Sequence, residues 1–263
     1  MVLCPLGERL RIVSLVPSLT HTLFDLGLTS EEIVGRTPWC IHPQPEVEHI
    51  HVVGGTKTPN LGKILKLNPT LLVLDKDENP KAVYDWAVEY KIPTFVCDVS
   101  HPRDVPAMII ELGVMINCHE RSQYWAQTIE EELDKIQPRE HDVVVMPLIW
   151  HDPLMGVSPQ KYAGGLIEAL GFRIPTIESE GTGYPVVTIE QLVEHRVQGL
   201  LLSSEPHNFS LREGEDICDE IELLTGYRPW FECIDGEALT WMGTKTADAF
   251  ETLKKSLSKR LII

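Results

Sequence analysis

The stretch HERSQYWAQTIEEELDKIQ (119–137) decides the fold. It holds no strand-like apolar run, and neither Gly nor Pro occurs in it before Pro138. Trp125, Ile129, Leu133 and Ile136 recur at spacings of four, four and three, which sets them along one face of a helix. About eighteen helical residues span roughly 27 Å, so this segment predicts one long rod. On both sides of it the pattern is different. Short continuous apolar runs alternate there with helical periods, the signature of a mostly parallel sheet covered on both faces.

Before the rod, RIVSL (11–15) reads as a buried strand, and Ser18 as the N-cap of a helix that stops at Gly27. IVGR (33–36) is a second strand. Asn60 caps NLGKILKL, Pro69 separates that helix from the strand LLVL (71–74), and Asn79-Pro80 opens another helix. TFVC (94–97) and a helix over 103–116 complete this half. After the rod come VVVMPLIW (143–150), helices over 164–171 and 188–195, the strand GLLLSS (199–204) and a helix over 215–224. The strand FECID (231–235) and a terminal helix over 244–261 end the chain. The expected fold is therefore α/β, two Rossmann-like lobes with mostly parallel sheets joined by a single long backbone helix. The expected boundaries are 1–117, 118–137 and 138–263.

An internal repeat points the same way. Shifted by 128 positions, NLGKILKLNPTLLVL (60–74) lies over TIEQLVEHRVQGLLL (188–202) without a gap. Each copy opens on a capping residue, Asn60 or Thr188, and Gln191 completes a capping box in the second. Apolar Ile64 and Leu65 match Leu192 and Val193, and Leu72–Leu74 match Leu200–Leu202. Two lobes of like construction make the cleft between them the default ligand site.

Composition narrows the partners. Across 263 residues, 43% hydrophobic and 24% charged content fits a globular chain that needs no disulfide or metal staple. A formal charge of −16 makes nucleic acid and anionic membrane poor partners. The cysteines (4, 40, 97, 118, 218, 233) show neither CxxC nor metal-ligand spacing and read as reduced. The opening MVLCPLGERLRIVSLVP lacks an apolar run behind a basic segment, so a cytoplasmic location is expected, or a periplasmic one for an already processed chain. A monomer is expected. Nucleotide, hydrolase and metalloprotease motifs are absent, and the glycine loops VVGGT (52–56) and EGTGYP (180–185) are too short a signal for a phosphate site.

RIVSLVPSLTHTLFDLG, then IVGRTPWCIHP, then VVGGTKTPNLGKILKLNPTLLVL, resembles the N-terminal lobe of the substrate-binding proteins of cobalamin and ferric-siderophore ABC importers. The match is continuous over about 11–74; through the second lobe it rests on TIEQLVEHRVQGLLLSSEP and on DGEALTWMG (235–243) near the last strand. The resemblance implies two α/β lobes bridged by one helix. It also implies a small-molecule metal complex as ligand: a corrinoid such as cobalamin first, a ferric siderophore or haem next, with no catalytic cofactor.

Trp39 falls on the family's aromatic position after the second strand. Thr56 and Asp75 fall where cobalamin binders often offer tryptophan. Trp150, His151 and Asp152 end a strand of the second lobe, and Trp241 lies after the last strand. Tryptophan faces offer large apolar area with an N–H donor, which suits a flat macrocycle. Each could equally be a core or rim residue, which is the expectation for Trp86, Trp125 and Trp230. His151 or His207 could place an imidazole on a metal, and Glu205 beside His207 is an alternative polar contact. His49 and His51 have the spacing of a metal pair but lack an identifiable third ligand. The alternatives to binding are a corrinoid- or tetrapyrrole-processing enzyme such as a chelatase, and a ligand sensor.

The resemblance further implies one docking glutamate per lobe, near the start of the repeated helix. Those places are Gly62 and Glu190, and Gly62 is followed by Lys63. Docking onto a conventional importer is therefore expected to fail on the first lobe.

Overall fold

The computed structural model describes residues 9–136, 143–178 and 183–260. Cys4, Gln137, and part of the EGTGYP loop lie outside them. The chain divides into two compact units. The first holds Met1–Val99, Val105–Glu130 and Met242–Lys245, and the second Ser100–Asp104, Glu131–Trp241 and Thr246–Ile263.

The first unit contains β1 (Ile12–Ser14), α1 (Pro17–Asp25), β2 (Ile33–Arg36), β3 (His51–Val52), α2 (Leu61–Lys66), β4 (Leu71–Asp75), α3 (Lys81–Glu89), β5 (Thr94–Cys97) and α4 (Val105–Met115). α5 (His119–Asp134) begins in this unit and ends in the second. The sheet order is β3-β2-β1-β4-β5, with every pairing parallel. All five residues of β4 are buried, as a parallel strand covered on both faces requires. Val13, Leu15, Ile64, Leu72, Leu74 and Val83 make the core on one side. Connections leave β1 toward β2 and β4 toward β5, in opposite directions. The carboxyl ends of β1 and β4 therefore form the switch point where open α/β sheets place their ligands. Asn79 ties this end together, its Nδ2 donating to the Leu15 and Thr56 carbonyls. The segment Met242–Lys245 belongs here because Thr244 donates to Asp25 Oδ2 at 2.5 Å and takes the Thr22 hydroxyl as acceptor for its N–H.

The second unit contains β6 (Val145–Trp150), β7 (Met155–Gly156), α6 (Tyr162–Ala169), α7 (Ile189–Glu194), β8 (Gly199–Ser203), α8 (Leu211–Thr225), β9 (Trp230–Ile234), α9 (Gly236–Thr240) and α10 (Thr246–Ser256). Its sheet order is β7-β6-β8-β9, parallel except for the β6–β7 pair. Met146, Leu148, Leu192, Leu200, Leu202, Ile217 and Ile221 share its core. α8 opens on Ser210, whose hydroxyl accepts from Glu213 N–H while the Glu213 side chain returns to Ser210, a full capping box.

Three local expectations are corrected. Val16, not Ser18, is the N-cap of α1, because Pro17 takes the first helical position where its missing N–H costs nothing. Pro80 is likewise the N-cap of α3, not its first helical residue. The terminal helix expected over 244–261 runs Thr246–Ser256, and α9, capped by Asp235, precedes it. Cys40, Cys97, Cys118, Cys218 and Cys233 are free thiols. Among the described residues no helix is long and apolar enough to cross a membrane.

Candidate functional site

The carboxyl ends of β6 and β8 carry a group of aromatic and imidazole rings. β6 ends on Trp150, which is 40% exposed, and runs on into exposed His151 and Asp152. β8 ends on Ser203, whose hydroxyl accepts from Glu205 N–H and donates to its carbonyl, turning the chain back. That turn lets His207 N–H donate to the Ile149 carbonyl and Phe209 N–H to the Ser203 carbonyl. His207 therefore arrives beside the end of β6. His151 and His207 stack at 5.7 Å and 19°, and Phe209 meets His207 edge-on at 4.7 Å. Trp150 approaches the same His207 ring at 5.9 Å, while its indole N–H donates to the Asp152 carbonyl.

Glu213, in the first turn of α8, sits against the pair. Its Oε1 is 2.8 Å from His207 Nε2 and 3.6 Å from His151 Nδ1. The Ser210 N–H and hydroxyl both donate to Glu213 Oε2. Those donors, together with His207, hold the Glu213 carboxyl down to about 2, so it is an anion at neutral pH. A fixed carboxylate behind an imidazole sets which ring nitrogen carries the proton, as it does behind metal-bound histidines. Sequence reasoning named Trp150, His151, Asp152 and His207 but missed Phe209 and Glu213. The capping pattern S-L-R-E (210–213) was the available signal for Glu213.

The other second-unit candidates lie near the β8 and β9 ends. Trp241, read from the sequence as lying in the loop after the last strand, instead closes α9 and is only 6% exposed. Its indole N–H donates to Glu205 Oε1, which also accepts from the Thr240 hydroxyl. Burial raises the Glu205 carboxyl above the usual carboxylate range, so the Trp241–Glu205 pair is built into the packing. Glu205, Ser204, Cys233, Asp235 and Glu237 line an open cavity of about 580 Å³. Glu190 is exposed in the first turn of α7. Its own backbone N–H and the Thr188 hydroxyl hold its carboxyl below the ordinary value.

In the first unit Trp39 is 62% exposed on the turn after β2, held by Cys40 N–H donating to the Thr37 carbonyl. Thr56 is half-buried and contributes its carbonyl to Asn79. Asp75 is buried; its Oδ1 accepts from Asp77 N–H at 2.8 Å and Glu78 N–H at 2.9 Å, making the turn after β4. Burial still outweighs those bonds and raises its carboxyl, and the neighbouring Cys97 thiol is pushed up by burial and by Asp75. Asp75 is thus placed as a turn-maker, and Trp39 is the first-unit candidate with a free face. His49 and His51 are exposed, and among the described residues no three His, Cys, Asp or Glu are placed to hold a metal ion.

A family model described as periplasmic binding protein matches residues 12–216. The vitamin B12-binding protein of Pectobacterium carotovorum subsp. carotovorum is 22% identical over 213 residues, covering 78% of this chain and 76% of that protein. Among solved structures, the periplasmic vitamin B12 binding protein BtuF of Vibrio cholerae superposes with a TM-score of 0.75 at 18% identity, covering 96% of this chain and 98% of that one. The periplasmic heme-binding protein RhuT from Roseiflexus sp. RS-1 also gives 0.75 at 18% identity, covering 97% and 100%. At these identities the structural likeness establishes the fold.

Proposed function

Because the chain belongs to the periplasmic binding protein family, a family of binding proteins rather than enzymes, we propose that it reversibly binds a metal-containing macrocycle or chelate. A corrinoid is the first choice, and haem or a ferric siderophore the next. The observation that carries the reading is the ring cluster at the β6 and β8 ends. Trp150, His151, His207 and Phe209 converge there over an anionic Glu213. Aromatic faces supply apolar area at small entropy cost, and an imidazole oriented by a carboxylate is a donor suited to cobalt or iron. Relatives named for vitamin B12 and for heme support both ligand choices. Trp39 is the matching candidate in the first unit.

The test is titration of the full chain with cobalamin, haem and ferric siderophores, read by tryptophan quenching and by the ligand's visible spectrum. We expect saturable binding below about 100 μM, a free energy near −5.5 kcal/mol. No saturable change with any of the three overturns the reading. His151→Ala and His207→Ala separate stacking from ligation: a ligated metal shifts its absorption band when the imidazole is lost, whereas a stacked ring changes affinity alone. Trp39→Ala should weaken binding by about 1–3 kcal/mol with little loss of melting temperature. A large loss of stability with unchanged affinity would assign Trp39 to packing.

We also infer that the chain does not dock on a conventional importer. Glu190 offers a carboxylate on α7, while Gly62 and Lys63 stand at the corresponding place on α2. A cation there repels the arginine that a docking glutamate would meet. Stable co-purification with the membrane subunits of an importer would end this inference.

A further inference from the structure

Most arginines of the described chain are held by partners inside it. Arg9 pairs with Glu31, Arg103 with Asp134, Arg260 with Glu232, and Arg228 with Glu215, Asp219 and Glu222. Arg11 and Arg36 donate to backbone carbonyls. Arg173 and Arg196 differ. Neither guanidinium has a hydrogen-bond or ion-pair partner among the described residues, and both line the same cavity of about 490 Å³. In a chain of net charge −16, two cations on one cavity with no partner among the described residues are a local reversal of sign.

The cavity lies in the second unit, at the amino ends of β6 and β8, the opposite end of that sheet from Trp150 and His207. Buried Leu192, Val197 and Ile221 floor it, and half-exposed Tyr227 stands on its rim. Its volume falls within the range of small-molecule sites. Guanidinium groups present forked donors that match a carboxylate or phosphate. An apolar floor asks for a carbon body behind the anion. The carboxyl ends of α7 and α8 also converge here, and their partial negative charge penalises a dianion more than a monoanion. We propose that this cavity binds a small organic monoanion, a carboxylate on an apolar or aromatic body, independently of the ligand site described above.

Benzoate and its neutral analogue benzamide test this on the full chain at low ionic strength, by calorimetry or ligand-observed NMR. Saturable benzoate binding is expected, with benzamide weaker by about tenfold, the scale of a lost charge-assisted hydrogen bond. Arg173→Gln and Arg196→Gln should each cost a similar factor, Arg196→Lys less, and Trp150→Ala nothing. Both arginines are exposed, so the variants keep their fold, and the benzoate–benzamide comparison needs no variant. No saturable binding, equal affinity for benzamide, tighter binding of inorganic phosphate, or unchanged affinity in both Gln variants would each overturn the proposal. The last result would mean that the arginines only balance the helix ends.

Discussion

In the first unit Asn60 caps α2 over Leu61–Lys66, Asn68 turns left-handed at φ 47°, and β4 follows at Leu71–Asp75. One hundred and twenty-eight residues later Thr188 caps α7 over Ile189–Glu194, Arg196 turns left-handed at φ 54°, and β8 follows at Gly199–Ser203. The two copies agree residue for residue in where helix, turn and strand begin and end. Each helix also buries one side chain of its own, Ile64 or Leu192. They part in what the backbone presents. Asp75 and Ser203 both accept the N–H two residues on, yet one is a carboxyl and the other a hydroxyl. Gly199 stands where the first copy has Leu71, because a Cβ there would lie 2.2 Å from the Trp230 ring. Gly62 stands where the second copy has Glu190. Caps, turn and buried anchor thus preserve the backbone, while strand ends and exposed first turns are free to change chemistry.

Removing the buried anchors puts this equivalence under the largest strain. Ile64→Ala and Leu192→Ala should each destabilise by about 2–5 kcal/mol, since both side chains are fully enclosed and leave a cavity. Chemical denaturation should show losses within about a factor of two of each other. A loss under about 1 kcal/mol in one copy would show that its helix is held by something other than the anchor.

The same contrast explains what was legible in the sequence. IVGR and TFVC coincide with β2 and β5, and the capping box at Thr188 is present, because continuous apolar runs and caps are local signals. α9 is five residues long, shorter than two helical turns, and β7 is two residues long, so neither carries a readable period. Ser18 was misread because a capping residue type competes with the proline before it. At the site, Trp150 and His151 could be read as strand-end residues. Their meeting with His207, Phe209 and Glu213 depends on the pairing of β6 with β8 across more than fifty positions, which no local pattern encodes. Trp241 is the converse case. Its type suggested an exposed platform, and only its distant partner Glu205 reveals that it is covered.

A smaller effect separates the strand ends. Asp75 has its carboxyl raised by burial, so the folded chain holds that proton to a higher pH than the unfolded chain does. A raised carboxyl favours folding below the unfolded value and loses that contribution as pH climbs through the folded one. Asp75→Asn keeps the acceptor for Asp77 N–H without the charge. The variant should be more stable than the parent at pH 7, with the advantage fading as pH falls through the raised value and gone once pH is below the ordinary carboxylate range. Ser203→Asn, which has no charge to lose, should show no such pH trend. Paired melting curves between pH 3 and pH 8 decide it, and a parent–variant gap that does not vary with pH would mean that Asp75 is not the titrating group.

The smallest expected effect lies at the exposed first turn. A Cβ at Gly62 would meet only Asn60 Oδ1 at 3.4 Å, an ordinary contact, and the residue is exposed. Replacing glycine inside a helix with glutamate gains up to about 1 kcal/mol of helix propensity. A carboxylate in the first turn adds about 0.3–1 kcal/mol from the helix dipole at low salt, part of it screened at this exposed position. Gly62→Glu should therefore raise stability slightly, and Glu190→Gly in the other copy should lower it by a similar amount. The Glu190 carboxyl already sits below its ordinary value through its own N–H and the Thr188 hydroxyl. If the two starts are equivalent, a glutamate at 62 should find the same backbone donor, and its titration, followed by NMR, should move downward. A Gly62→Glu chain less stable than the parent, or a new carboxyl titrating at the unperturbed value, would show that the likeness of α2 and α7 ends at their backbones.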